Sequence, residues 1–350
     1  VIFLLFPPFV EWTSGDAETY PPPAPLGEPS ALGPLPGRST PTERETMRSI
    51  RIAATVAVFA ASLVGCSRNN IEAVNLANEG DQAKGSNLDE AISKYEQATA
   101  LDPSNHRILW KLALAYHKKE DWAKDAATCA QAEKVAPTFA TYYFEQGYAL
   151  EQQAAKGPTS WTEAKDPFQQ AIAKDPNLAQ AYEELAEVSL HLDDEQAALQ
   201  NYSKAIDTKP DELQYYPPLA DLLLRLGFQE PAEQVLRAAL SNAKEGDKHL
   251  FAVHSLLGSI AENKGNVPTA VTEYESAKKA CGQCNEPGQQ IAFFNLGGAY
   301  AEANPPRKNE AIQQLQSFSK IVCRGAAAQR YADQCSQAQE IVKRLGGTLQ

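Results

Sequence analysis

From about residue 70 onward, apolar side chains recur at the three- and four-residue spacing of a helical face, not in the alternation of a strand. Three stretches, DEAISKYEQATALDP, WTEAKDPFQQAIAKDP and EQAALQNYSKAIDTKP, carry alanine, an aromatic, alanine and proline at offsets 0, 4, 7 and 12. Ala91, Tyr95 and Ala98 thus share one face, as do Ala164, Phe168 and Ala171, and Ala198, Tyr202 and Ala205. Small alanines let helices approach closely while the ring fills the space beside them. The first helix of each unit carries a complementary set, such as Leu112, Ala113 and Tyr116, or Tyr182, Leu185 and Ala186, or Leu296, Gly297 and Tyr300. Pro103, Pro137, Pro176 and Pro210 follow at intervals of 34, 39 and 34 residues, and each turns the chain by restricting the residue before it.

The pattern predicts an all-α solenoid of antiparallel helix pairs over residues 70–322, in seven units: 70–104, 105–138, 139–177, 178–211, 212–246, 247–283 and 284–322. The first has a small insertion around Lys84 to Ser86, and the second has Asp125 where alanine is expected. The third carries five extra residues in its inter-helix turn, in AAKGPTS. The seventh has a longer turn with Pro305 and Pro306, and Phe318 where a small alanine usually packs. Residues 323–350 then form a C-terminal cap and tail, with one helix from about Ala326 to Arg344 covering the open face of the last unit.

This recurrence in register resembles the tetratricopeptide repeat (TPR). The resemblance implies a right-handed superhelix whose first helices line a groove that takes an extended or helical peptide. Carried onto this chain, the groove positions are Trp110, Leu114 and His117, then Phe144, Tyr148 and Glu151, then Glu183, Glu187 and Leu190, then Asp221 and Leu224. The basic and asparagine positions that clamp a partner's terminal carboxylate in some chaperone-binding members do not occur here, which disfavours a chaperone-tail receptor.

Residues 47–65 have a different logic. MRSIRIAATVAVFAASLVGC places Arg48 and Arg51 before an apolar run of twelve residues, Ile52 to Leu63, with a small residue before Cys66, which is the anatomy of an export signal. The run Leu63, Val64, Gly65, Cys66 resembles the lipobox of bacterial lipoproteins. That resemblance implies cleavage before Cys66, lipid on its thiol and its amino group, and a short tether over residues 66–69. Ser67 in place of aspartate leans toward the outer membrane, with the solenoid facing the periplasm. An export signal acts from the start of a chain, so residues 1–46 read as sequence upstream of a true start at Met47, or else as a Pro-rich extension.

Charge and cysteines narrow the function further. Lys and Arg total 32 against 44 Asp and Glu, a net charge of −12 that disfavours nucleic acid as a partner. Cys129 occupies an aromatic position and is expected to be a buried, unreactive thiol. Cys281, Cys284, Cys323 and Cys335 are expected to form two disulfides after export; three pairings are open, with Cys281 and Cys284 the easiest local pair. A four-cysteine zinc site and a CGQC redox motif are the competing uses of these thiols.

His106, His117, His191, His249 and His254 show no paired-ligand spacing, and Glu183 with Glu184, like Asp193 with Asp194, reads as a solvated helical face. No phosphate loop, dinucleotide fingerprint or nucleophile elbow occurs. The expectation is therefore no catalysis, no cofactor, no metal site and no small-molecule substrate. The closing text from Phe294 to Gly347 resembles TPR lipoproteins of myxobacteria, some of which serve envelope-spanning gliding-motility or secretion machinery. The implied function is a scaffold that holds envelope proteins or their peptide segments. The alternatives are a pilotin or outer-membrane protein biogenesis factor, and a non-catalytic cell-wall accessory.

Overall fold

A computed structural model describes residues 68–157, 160–325 and 327–349, and among these every regular element is a helix. Cys66 and the export-type segment lie outside the described residues. The chain forms two compact units, one ending at Ile108 and the other running from Leu109.

In the first unit, α1 (68–83) and α2 (Leu88–Leu101) form an antiparallel pair joined by a short turn. Asn87 starts α2 by accepting a hydrogen bond from the Glu90 amide, and Ala91, Ile92, Tyr95 and Ala98 form its buried face. Tyr95 lies flat on Gly80, where an added Cβ would come within 2.6 Å of the ring, and its hydroxyl donates to Asp81 at 2.7 Å.

The second unit holds α3 (His106–Lys118) from Leu109 on, then α4 (Trp122–Val135), α5 (Ala140–Lys156), α6 (Trp161–Lys174), α7 (Ala179–His191) and α8 (Glu195–Thr208). It goes on through α9 (Tyr216–Arg225), α10 (Gln229–Asn242), α11 (Leu250–Asn263), α12 (Val267–Cys281), α13 (Ile291–Glu302) and α14 (Lys308–Val322). From α4 on, each helix packs on the next, and α5 also touches α7 as α9 touches α11, so the first helices of successive repeats form a row of their own. Asp121, Ser160, Asp194 and Asn266 cap α4, α6, α8 and α12 through their side chains, each satisfying an amide that the helix leaves without a partner. The even-numbered helices bury the small–large–small triplet: Ala164, Phe168 and Ala171 in α6, Ala198, Tyr202 and Ala205 in α8, Ala270, Tyr274 and Ala277 in α12.

Two expectations about local structure need correcting. The extra residues of the third repeat do not all form a turn: α5 runs for 17 residues, carrying Ala154, Ala155 and Lys156 in its last turn. Alanine and lysine are good helix formers, and Ala154 gains burial by staying helical. The C-terminal cap is not one helix but two, α15 (Ala327–Arg330) and α16 (Ala332–Arg344), broken at Tyr331. The break turns the Tyr331 ring inward to meet Phe318 edge-on at 6.1 Å.

Phe318 shows how the cap completes the last repeat. In α14 Leu315 takes the aromatic position and Phe318 the small one, both fully buried, and the extra bulk of Phe318 is met by Phe294, Tyr331 and the α16 residues Ala338 and Val342. Cys281 is joined to Cys284, and Cys323 at the end of α14 is joined to Cys335 in α16. The second bridge closes a loop with a sequence separation of 12, so substituting both its cysteines by alanine is expected to destabilise the cap by about 2–3 kcal/mol. Urea unfolding of this variant beside the parent checks it; coincident curves would show that the bridge adds no stability.

Candidate binding surface

The predicted groove positions divide into three groups. Trp110 leans on Tyr142 at 5.3 Å and Phe144 on Phe168 at 5.7 Å, and Phe144 is buried. Phe144 is therefore a packing residue rather than a peptide contact, because the ring of the following helix already covers it. Leu190 and Leu224 are half-buried against the cores around Tyr202 and Leu236, and Leu114 is half-buried on α3. The remaining positions, His117, Tyr148, Glu151, Glu183, Glu187 and Asp221, belong to two polar clusters.

The larger cluster is a row of carboxyls on α5, α7 and α9. Glu151 of α5 is buried, and it meets Glu184 of α7 closely enough to share a proton. Glu183 and Glu187 lie on the same helix as Glu184, all three half-buried. Glu183 and Glu184 are thus not the solvated pair that their sequence implies, because α5 and α9 flank the helix that carries them.

Burial pushes Glu184 up to about 7, with repulsion from Glu187 adding to it. Glu151 and Glu183 are raised well above the usual carboxyl range, first by burial and then by the charge of Glu184. Burial also raises Glu187, although the Tyr202 hydroxyl donates to its carboxylate and offsets part of the effect. Asp221 is raised by burial and partly relieved by Arg225 at 3.2 Å. Of the five carboxyls, Glu187 and Asp221 have Arg225 nearby, and among the described residues the row is short of positive charge.

The smaller cluster joins α3, α4 and α5. Asp125, at the position of an alanine in the other repeats, is fully buried. Its Oδ1 accepts a hydrogen bond from the Cys129 thiol at 3.5 Å, while its Oδ2 has no hydrogen-bond partner. Burial and the nearby Glu145 push Asp125 up to about 10, and burial raises Cys129 well above the usual thiol range. His117 Nδ1 contacts the carboxylate of Glu145 and lies 3.8 Å from Asp125 Oδ2. Tyr148 stacks on the imidazole at 5.3 Å and Trp122 meets it edge-on at 5.1 Å. Sequence spacing missed this group, and the one signal that marked it was the aspartate in an alanine register.

Residues 83–120 match the family described as TPR repeat, and residues 159–212 match that described as Tetratricopeptide repeat. The chain carries tetratricopeptide repeats. Among solved structures, the C-terminal part of a TPR repeat-containing protein from Cytophaga hutchinsonii aligns with a TM-score of 0.55 at 14% identity, over 73% of this chain and 98% of that one. That likeness bears on fold. PilF of Pseudomonas aeruginosa aligns at a TM-score of 0.48 and 17% identity, over 63% of this chain and 97% of that one. A crystal structure of MamA aligns at 0.43 and 24% identity, over 47% and 93%. Tetratricopeptide-repeat proteins act as protein–protein interaction scaffolds, and the surfaces described here are those of such a scaffold.

Proposed function

We propose that this protein is a cell-envelope scaffold, anchored by lipid at Cys66 to the outer membrane, that holds a partner protein by a basic segment laid along α5, α7 and α9. The observation that carries the reading is the row Glu151, Glu183, Glu184, Glu187 and Asp221, in which Arg225 offsets Asp221 and Glu187 while burial raises all five carboxyls. Half-buried carboxyls that hold protons for want of cations favour lysine or arginine side chains from outside, since hydrogen bonds to charged groups are about twice as strong as neutral ones. Support for the compartment comes from two disulfides, which persist where thiols are oxidised, and from the lipobox-like run ending at Cys66. A motility or secretion assembly is the envelope process that the myxobacterial resemblance favours.

Two measurements test this. Fluorescence anisotropy with lysine-rich and glutamate-rich peptides should show binding of the basic peptide alone, tighter at pH 8 than at pH 5 and weaker in salt. Glu183→Gln with Glu187→Gln should weaken it about 10–100-fold, from a loss of about 1.5–3 kcal/mol. Equal binding of both peptides, or an unaffected double variant, rejects the acidic row as the site. For the anchor, the intact mass of membrane-extracted protein should show a chain that begins at Cys66 with acyl mass, lost in Cys66→Ala.

A further inference from the structure

The cluster on α3, α4 and α5 leaves one buried carboxyl oxygen without a hydrogen-bond partner. Glu145 is buried and Asp125 fully so, and both carboxylates converge on one nitrogen, His117 Nδ1. That nitrogen carries at most one hydrogen, and Glu145 takes it. Asp125 Oδ2 is left without a donor inside the protein, a costly state for a buried carboxyl oxygen. A proton shared between Asp125 and Glu145 is the alternative to a cation: it removes one charge and leaves the other carboxylate beside a single imidazole N–H. A metal ion accepts all three lone pairs at once.

We propose that His117 Nδ1, Asp125 Oδ2 and a carboxylate oxygen of Glu145 form a binding site for a divalent cation with zinc-type ligand preferences. The three ligand atoms already lie within 4.8 Å of one another. Zinc binds imidazole nitrogen and carboxylate oxygen at about 2.0–2.2 Å, which puts ligand atoms of a tetrahedral site about 3.3 Å apart. The His117–Asp125 separation of 3.8 Å needs only a small contraction to reach that. One nitrogen with only two carboxylates is a poor set for calcium or magnesium, which take six or more oxygen ligands, counting water.

The surroundings fit a metal site as well. The Cys129 thiol holds the other oxygen of Asp125, and Tyr148 and Trp122 fix the plane of the imidazole, as outer partners do around a metal. The His117 side chain is 18% exposed, so a fourth position can be reached from solvent. The ion would tie three consecutive helices together at the end of the acidic row. The site does not depend on the basic-segment reading, since it uses none of the row's carboxyls.

The test uses the full chain, stripped with chelator and kept without reductant so that both disulfides stay closed. Co²⁺ titration should show one equivalent bound with the visible absorption of a tetrahedral site, displaced by Zn²⁺, and Zn²⁺ should raise the melting temperature. Asp125→Ala restores the residue found at this position in other repeats and should fold. Losing an outer partner costs about 10–100-fold in affinity, so losing this ligand should cost at least about 100-fold. His117→Gln should do the same. No cobalt spectrum, or equal metal binding by parent and Asp125→Ala, overturns the proposal.

Discussion

Phe168→Ala is expected to lower the unfolding free energy by about 3–5 kcal/mol, the cost of emptying the site of a large buried ring. Phe168 is fully buried, lies over Gly147 and leans on Phe144. A Cβ added at Gly147 would come within 2.8 Å of that ring, so Gly147→Ala alone forces a shift and should cost about 1–3 kcal/mol. In the Phe168→Ala background the same methyl enters the vacated space, and the two costs should not add. Urea denaturation of the parent, both single variants and the double variant measures the coupling. Simple additivity would show that the ring and the glycine are not a matched pair. Gly258 and Tyr274 repeat the arrangement, with a Cβ 2.4 Å from the ring, and should behave alike.

Stability should fall as pH rises from about 5 to 8. Glu184 in the folded protein is pushed up to about 7 by burial and by Glu187, and Glu133 reaches about 7 by burial and by Asp166. In the unfolded chain both titrate near 4.5. Between those values the folded state holds more protons than the unfolded one, so stability decreases with pH across this window, and Asp125, pushed up to about 10 by burial, continues the decrease above it. Below it, carboxylates held down by cations, such as Glu233 hydrogen-bonded to Lys264 and Arg237, act in the opposite direction, and stability is lost on further acidification. The maximum should therefore lie near pH 5. Discounted for partial exposure, the loss from pH 5 to 8 is about 2 kcal/mol. Glu184→Gln should flatten the profile and raise the melting temperature at pH 8. A parent that gains stability over this range, or a variant that keeps the full slope, would show that the row does not hold protons. The same titration explains the expected tightening of a basic peptide at pH 8, since a cation can replace a shared proton only once the proton is free to leave.

The repeat architecture was legible in the residues because the information is local. Ala164, Phe168 and Ala171 lie within two helical turns, and a period near 34 residues repeats the instruction along the chain. Cap residues such as Asp121 and Asn266 act within three residues of themselves, so they are local as well, although the helical pattern by itself did not single them out. Even the odd aspartate in an alanine register was visible, although its consequence was not. What surrounds Asp125 comes from α3 and α5, with Glu145 twenty residues away, and only the stacking of helices brings His117, Asp125 and Glu145 together. The carboxyl row was misread for the same reason. Glu183 and Glu184 look like a wet helical face in one dimension, and they become a half-buried acidic seam only because α5 and α9 lie on either side of α7. Sequence alone determined the helices and their small–large–small faces, since those depend on neighbours three and four residues apart. The tertiary structure decided which charges lose their water, because desolvation depends on whatever the rest of the chain places beside them.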